Sequence, residues 1–381
     1  MFISRLRVQN WRNFKEFDVP ISDKTYLIGP NASGKSNFLD VFRFLRDICK
    51  PQGGGLQKAI ADRGGLQKLR CLHARKPPEV LIEVEISVAI GGPVSWKYLI
   101  AFKPEGKGAQ RTLITQEKVW KDGRLLLDRP EKLDKEDTVR LTQTHLEQIQ
   151  ANGDFREIAD FLSQTTYLHL VPQLLKFGDF IGGRQLDDDP FGQGFLERLA
   201  TTPVRTRESR LKRIEEALKL AVPQFQELRY VKDDITGRPH LEAHYKHHRP
   251  NAGWQREEHF SDGTLRLLGL LWSLLDGNSL LLLEEPELSL NDAIVSEIPY
   301  LIQRVQRTKK RQLIISTHSE ALLRNEGINP KGVLILEPKS EGTIIRVVDD
   351  KETLALTSGF SVAEVILPKT KPELVDQLRL W

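Results

Sequence analysis

Cysteine is almost missing from this 381-residue chain, which holds only Cys49 and Cys71. Two thiols so placed exclude a disulfide-stapled scaffold and a multi-cysteine metal site, and they point to a reduced, cytoplasmic compartment. Long apolar runs are also lacking. The richest stretch, 265–283, is interrupted by Arg266, Asp276, Gly277 and Asn278, so nothing reaches the roughly 18 residues of a membrane helix. The opening residues carry Arg5 and Arg7 where a signal peptide needs an apolar core. Nor is there a large charge of one sign. Lys and Arg number 56 against 52 Asp and Glu, a net charge of +4, compatible with nucleic acid as a partner without arguing for it. What remains is ordinary: 39% hydrophobic, 28% charged and 7% aromatic residues. That composition excludes a mainly disordered or collagen-like chain and fills two to three compact units at about 150 residues each.

Alternation at Ile3, Leu6 and Val8, and again at Phe17, Val19 and Ile21, predicts two short strands around Asn10-Trp11-Arg12-Asn13. A buried strand over 25–28 follows, and helical spacing predicts a helix over 37–48. Residues 51–65 are glycine-rich and read as loop. Strands are predicted at 80–90 and 96–102, joined as a hairpin by Gly91-Gly92-Pro93, and at 113–120 and 124–127. The middle changes to helical patterns at 144–150, 155–163 and 207–220. Strands follow at 228–232 and 239–246. The last third alternates: helix 263–275, strand 279–283, helix 291–305, strand 312–316, short helix 319–324, and closing strands 333–336 and 343–348.

Gly29-Pro30-Asn31-Ala32-Ser33-Gly34-Lys35-Ser36 fits the P-loop pattern, and it lies between a strand and a helix as that pattern requires. Backbone amides and a helix N-terminus there favour phosphate. Lys35 is expected to reach the β- and γ-phosphates and the Ser36 hydroxyl to ligate Mg²⁺. A second strand, Leu280 to Leu283, runs into Glu284-Glu285-Pro286-Glu287. Ligands bind at the carboxyl ends of strands in an open α/β sheet, so Glu284 is the candidate for Mg²⁺ and Glu285 the candidate base for an attacking water. A third strand, Gln312 to Ser316, delivers Thr317 and His318. His318 is placed to bond the γ-phosphate or the water. Ser261-Asp262-Gly263 opens a helix, where it is either a plain N-cap or a second anion-binding N-terminus.

Taken in chain order, 29–36, 261–263, 284–285 and 318, the four motifs resemble those of ATP-binding-cassette ATPases of the SMC, RecF and OLD type. The opening residues Ile3 to Phe14 look like the N-terminal strand pair of those heads, and Ser36-Asn37 is similar to the way their P-loops continue. The resemblance covers about 1–128 and 228–348. It implies an α/β P-loop NTPase head of the ABC type, with a β-rich N-terminal lobe and a mostly helical insertion. The chain then divides into an ATPase lobe 1–128, the insertion 129–228, a second ATPase lobe 229–348 and a tail 349–381. The resemblance further implies ATP and Mg²⁺ as ligands and a homodimer with ATP sandwiched between heads. Ser261 and Gly263 would act across that interface, and Ser289-Leu290-Asn291 would cross it as a D-loop. ATP would be held by residues 29–37, Asn37 included. It implies work on DNA, in repair or defence against foreign DNA. The insertion is far too short for a long coiled-coil arm, and no Asp-x-Asp follows His318, so any nuclease would be a separate chain. Two departures stand out: Ala32 replaces a usual glycine, and Glu284 stands where many relatives have Asp. Gln116 and Gln67 are the candidates for the Q-loop. The rival readings are a transporter ATPase subunit and a monomeric P-loop small-molecule kinase.

Other features have plainer readings beside them. Arg198 to Lys219 carries seven cations and three glutamates: a contact for phosphate backbone, or a solvated helix face. The run Arg304, Arg307, Lys309, Lys310 and Arg311 reads as a surface turn. His240, His244, His247 and His248 look like a metal cluster but span too far on a strand for one ion. Asp187-Asp188-Asp189-Pro190 reads as loop.

Overall fold

The computed structural model describes residues 1–50, 52–74, 78–106, 111–177, 189–247 and 253–371. Fifteen strands form three sheets among these residues. The first is antiparallel and built from the N-terminal hairpins: β1 (Phe2–Trp11), β2 (Phe14–Pro20), β4 (Val80–Ser87), β5 (Val94–Pro104), β6 (Thr112–Lys121) and β7 (Arg124–Arg129), in the order β2-β1-β4-β5-β6-β7. The second carries the site. Its strands are β3 (Lys24–Ile28), β8 (Thr166–Leu168), β12 (Leu281–Glu284), β13 (Leu313–Thr317), β14 (Val333–Lys339) and β15 (Gly342–Val347), in the order β15-β14-β3-β13-β12-β8. All its pairings are parallel except β14 with β15. The third is a small antiparallel sheet of β9 (Phe225–Lys232), β10 (Pro239–Tyr245) and β11 (Trp254–Arg256).

Strand alternation sorts the parallel sheet onto two cores, because successive side chains point to opposite faces. Leu27, Leu282, Ile314, Leu334 and Leu336 face the antiparallel sheet and the helix Lys35–Cys49, whose apolar residues are buried between the two sheets. Tyr26, Ile28, Leu281, Leu283, Leu313 and Ile315 face the opposite way, toward the helix Asp262–Leu275. That helix is apolar over most of its circumference and is accordingly buried from Thr264 to Leu275.

Several expectations need correction. Residues 51–65 contain the helix Leu56–Ala61, which the flanking glycines disguise; its first amide is capped by Glu147 at 2.8 Å. The expected helix 144–150 is a set of turns, in which the Thr144 hydroxyl accepts the Glu147 amide at 3.0 Å and donates to the Glu147 carboxylate at 3.1 Å. The helix expected over 291–305 is two, Asp292–Val295 and Ile298–Lys309, since Pro299 lacks an amide and begins a new first turn. The segment 129–228 is helical at Arg156–Ser163 and Val204–Ala221, but it is not wholly an insertion: β8 belongs to the main sheet, beside β12. Its first residue, Arg129, is buried and bonds Glu117 on one side and Asp134 on the other. The tail packs as well, with Val362, Ala363 and Ile366 in the second core. No helix among the described residues is long and apolar enough to cross a membrane.

Candidate functional site

β3 ends at Ile28, and residues 29–34 wrap around to the first turn of the helix Lys35–Cys49. The turn is tight. A Cβ on Gly29 would lie 2.7 Å from the Leu336 carbonyl oxygen, and one on Gly34, where φ is +100°, would lie 2.3 Å from the Asn13 amide. Ala32 adopts φ 62°, left-handed backbone that favours glycine. Asn13 braces the loop: its Nδ2 donates to the Ser33 carbonyl at 2.9 Å and to Thr343 Oγ1 at 2.8 Å, while its Oδ1 accepts from Asn37 at 2.8 Å. The Lys35 amine folds back onto the carbonyls of Gly29 (2.9 Å) and Pro30 (3.2 Å). Burial lowers its pKa, opposed by the charges of Glu285, Glu284 and Glu287. The Ser33 hydroxyl is buried without a hydrogen-bond partner. A lysine parked on backbone carbonyls and an unspent hydroxyl, at a helix N-terminus, suit a polyphosphate.

The register brings three strand ends to one edge. Glu284 on β12 lies opposite Ser316 on β13, and Ser316 lies opposite Leu27 on β3. Glu284 crosses to the phosphate loop, its Oε1 accepting from the Ser36 hydroxyl and its Oε2 from the Tyr167 hydroxyl. Serine and carboxylate oxygens are the hard donors Mg²⁺ takes, so Ser36 and Glu284 fit that ion. Glu285 turns out of the strand with φ 45°, its amide still bonded to the Ser316 carbonyl at 3.0 Å. His318 Nδ1 lies 3.1 Å from Glu285 Oε1. These two side chains are 49% and 23% exposed, so the pair faces solvent on one side.

Tyr167 escaped the sequence reading because it lies in the stretch taken for a helical insertion. Its one local signal is the β-favouring run Thr165-Thr166-Tyr167. Its side chain is buried under the Arg43 guanidinium, 4.2 Å above the ring. Burial and the neighbouring Glu284 raise the phenol pKa, keeping it a donor.

Ser261 is exposed and caps the helix Asp262–Leu275, its Oγ accepting from the Thr264 amide at 3.1 Å. Asp262 is held by Lys176 and Gln173, each at 2.8 Å. A Cβ on Gly263 would fall 2.8 Å from the Ser289 carbonyl, so residues 261–263 abut residue 289 within the chain. Among the described residues, no hydrogen bond joins Ser261 or Gly263 to the phosphate loop, Glu285 or His318, and none joins Gln67 or Gln116 to them.

The remaining candidates separate. His240 bonds Glu257 at 2.8 Å, while His244 bonds Gln226 at 2.8 Å and packs on Trp254. They do not converge, and His248, Asp187 and Asp188 lie outside the described residues. Asp189 pairs with Arg198. The two basic runs meet at the C-terminal end of the helix Asp262–Leu275: Arg210 pairs with Asp276 at 2.8 Å, and Lys309 donates to the Leu275 carbonyl. The second run is not simply a surface turn. Arg311 is 2% exposed and spends its guanidinium on the carbonyls of Ser273, Asp276 and Ser279; burial lowers its pKa to about 10.

Residues 24–324 match the family described as "AAA domain, putative AbiEii toxin, Type IV TA system". The chain belongs to that AAA-domain family. No curated protein matches it in sequence. Among solved structures it is similar to an SMC head bound to the C-winged helix domain of ScpA, with 15% identity, 93% of this chain and 100% of that chain covered, and a TM-score of 0.57. The SMC head domain from Thermotoga maritima also matches, with 15% identity, 92% and 100% coverage, and a TM-score of 0.49. This AAA-domain protein therefore has the P-loop ATPase fold of an SMC head.

Proposed function

We propose that this ATPase head binds and hydrolyses MgATP, with Lys35 on the β- and γ-phosphates, Ser36 and Glu284 at the metal, and Glu285 as general base. The observation that carries this reading is the meeting of three strand ends: Glu284 touches Ser36 while Glu285 holds His318 at 3.1 Å. Glu285 accepts a proton from water at the open side of the site, and His318 holds that carboxylate on its other side. Lys35, released from the Gly29 and Pro30 carbonyls, meets the incoming negative charge. Ser36 and Glu284 would hold Mg²⁺, whose charge would neutralise that of the phosphates.

The reading extends to a homodimer that closes on ATP. Two observations support it. The Glu285–His318 pair is half open to solvent, and hydrolysis of a phosphoanhydride gains from excluding bulk water. Ser261 is exposed at a helix N-terminus that it caps itself, with no hydrogen bond to its own phosphate loop among the described residues, which supports a role at a partner's nucleotide. We take the partner of the dimer to be DNA, in repair or defence, with any nuclease carried by a separate chain. The exposed Arg205, Lys212 and Arg213 on the helix Val204–Ala221 support a polyanion there. Cys49 and Cys71 are both buried free thiols, which supports a reducing cytoplasmic setting.

Changing Glu285 to Gln tests the core of this. Hydrolysis should be lost while ATP binding persists, and MgATP should roughly double the solution mass or tighten an existing oligomer. Full activity of Glu285→Gln with an unchanged assembly would refute both the base and the paired heads. DNA stimulation of the unaltered protein's hydrolysis tests the partner separately.

A further inference from the structure

Glu287 is a third carboxylate beside the site, and neither the base nor the metal reading uses it. It is 6% exposed, and burial raises its carboxyl pKa above the usual range. Oε1 accepts the Thr317 hydroxyl at 2.5 Å. That same hydroxyl oxygen accepts the Ser319 amide at 3.0 Å. Oε2, also buried, has no hydrogen-bond partner. A carboxylate kept out of water with half its acceptors idle costs stability, so it demands an explanation in what it holds.

What it holds is the chain on both sides of His318. The imidazole is 49% exposed, and among the described residues its one hydrogen bond is to Glu285. That single tether leaves the ring's place dependent on the backbone that carries it. On one side of His318 the Thr317 side chain is tied to Glu287; on the other, the Ser319 amide is tied to Thr317. Ser319 then caps the helix Glu320–Leu323, accepting from the Leu322 amide at 3.3 Å.

We infer that Glu287 is a positioning residue which, through the Thr317 hydroxyl, fixes the backbone around His318 and so keeps the imidazole against Glu285. This rests on the reading of Glu285 and His318 given above. The role needs an acceptor at Oε1 rather than a charge. It also needs the Thr317 hydroxyl, because a methyl group in its place would neither donate to Glu287 nor accept from Ser319.

The test is steady-state hydrolysis with direct ATP binding on the full chain, for changes at both residues with His318 intact and with His318→Ala. Glu287→Ala and Thr317→Val should lower kcat about tenfold or more, as misplacement of a reacting group does, with the Kd for ATP unchanged within about twofold. Glu287→Gln and Thr317→Ser should keep most of the rate. In the His318→Ala background, Glu287→Ala should cost nothing further, because residues acting through one group are not additive. A full kcat for Glu287→Ala, or an undiminished further loss in the His318→Ala background, would overturn the inference. If Glu287→Ala does not fold, Thr317→Val breaks the same bond, and a full rate there overturns it equally. Unimpaired hydrolysis in His318→Ala and Glu285→Gln would instead refute the site reading, and this inference with it.

Discussion

Tyr167 donates its hydroxyl to Oε2 of Glu284, so both oxygens of that carboxylate are occupied, the other by Ser36. The two residues are 117 apart in sequence and sit on adjacent parallel strands. Glu is one methylene longer than Asp, and a longer side chain has more rotamers to lose. The phenol, fixed by burial under Arg43, confines it from the side away from the phosphate loop.

Removing that hydroxyl should loosen the metal rather than the nucleotide. Tyr167→Phe keeps the ring and its packing but leaves Oε2 without its donor. Outer-shell partners of metal sites are typically worth 10- to 100-fold in affinity, so we expect the Mg²⁺ concentration for half-maximal ATP binding to rise about tenfold. A magnesium titration of fluorescent-nucleotide binding reads this directly. An unchanged midpoint would reduce Tyr167 to a packing residue.

Ala32 makes the opposite kind of prediction, a substitution that helps. Its φ of 62° is left-handed, which costs a residue with a Cβ about 1 kcal/mol or more. Glycine relieves that strain but adds freedom to the unfolded chain, worth about 0.4–1 kcal/mol in the other direction. Ala32→Gly should therefore raise the melting temperature by about 1 °C, a small shift suited to a chain of this size. A lowered Tm in calorimetry would mean that the Ala32 methyl makes contacts outweighing the strain.

The largest stability loss is expected at Arg129. All five of its N–H donors are used: Nε and Nη2 on Asp134, Nη1 on Glu117, and the remainder on the carbonyls of Gln143 and Arg140. All three charged side chains are fully buried. Arg129→Met leaves Glu117 buried without its cation and Asp134 with only the Arg140 guanidinium at 3.3 Å, a defect of about 3–5 kcal/mol. Urea unfolding should show the midpoint falling accordingly. Restoring most of it by adding Glu117→Gln and Asp134→Asn would show that the uncompensated charge, not lost volume, is the cause.

The site was legible where an apolar strand ends abruptly in polar residues. Tyr26-Leu27-Ile28 before Gly29, Leu280 to Leu283 before Glu284, and Leu313-Ile314-Ile315 before Ser316 each announce a buried parallel strand and its chemical end together. The convergence of Ser36, Glu284, Glu285 and His318 follows from that pattern plus the strand order. Tyr167 was hidden because β8 is three residues long and follows a helix, too short for any period to register. Asn13 and Glu287 were hidden for another reason. Their contacts are with residues distant in sequence, Thr343 and Thr317, and no local pattern encodes such partners.

The last prediction concerns the tail and its response to acid. Glu352 lies in the capping box of the helix Asp350–Thr357 and accepts Arg346 at 2.7 and 2.9 Å and Lys369 at 2.7 Å. These cations, Arg346 foremost, depress its pKa from 4.5 to about 2 despite burial. A depressed carboxylate pKa means the folded state binds its proton later than the unfolded state. The stabilisation is therefore complete above pH 4.5 and is lost progressively as pH falls toward about 2. Glu352→Gln removes the charge at every pH, so it should lower stability at neutral pH and flatten the acid limb in that window. Circular dichroism melts across the window measure both curves. Parallel acid limbs for the two proteins would show that the Arg346–Glu352–Lys369 cluster contributes nothing to the tail's attachment, leaving Val362, Ala363 and Ile366 to hold it by burial alone.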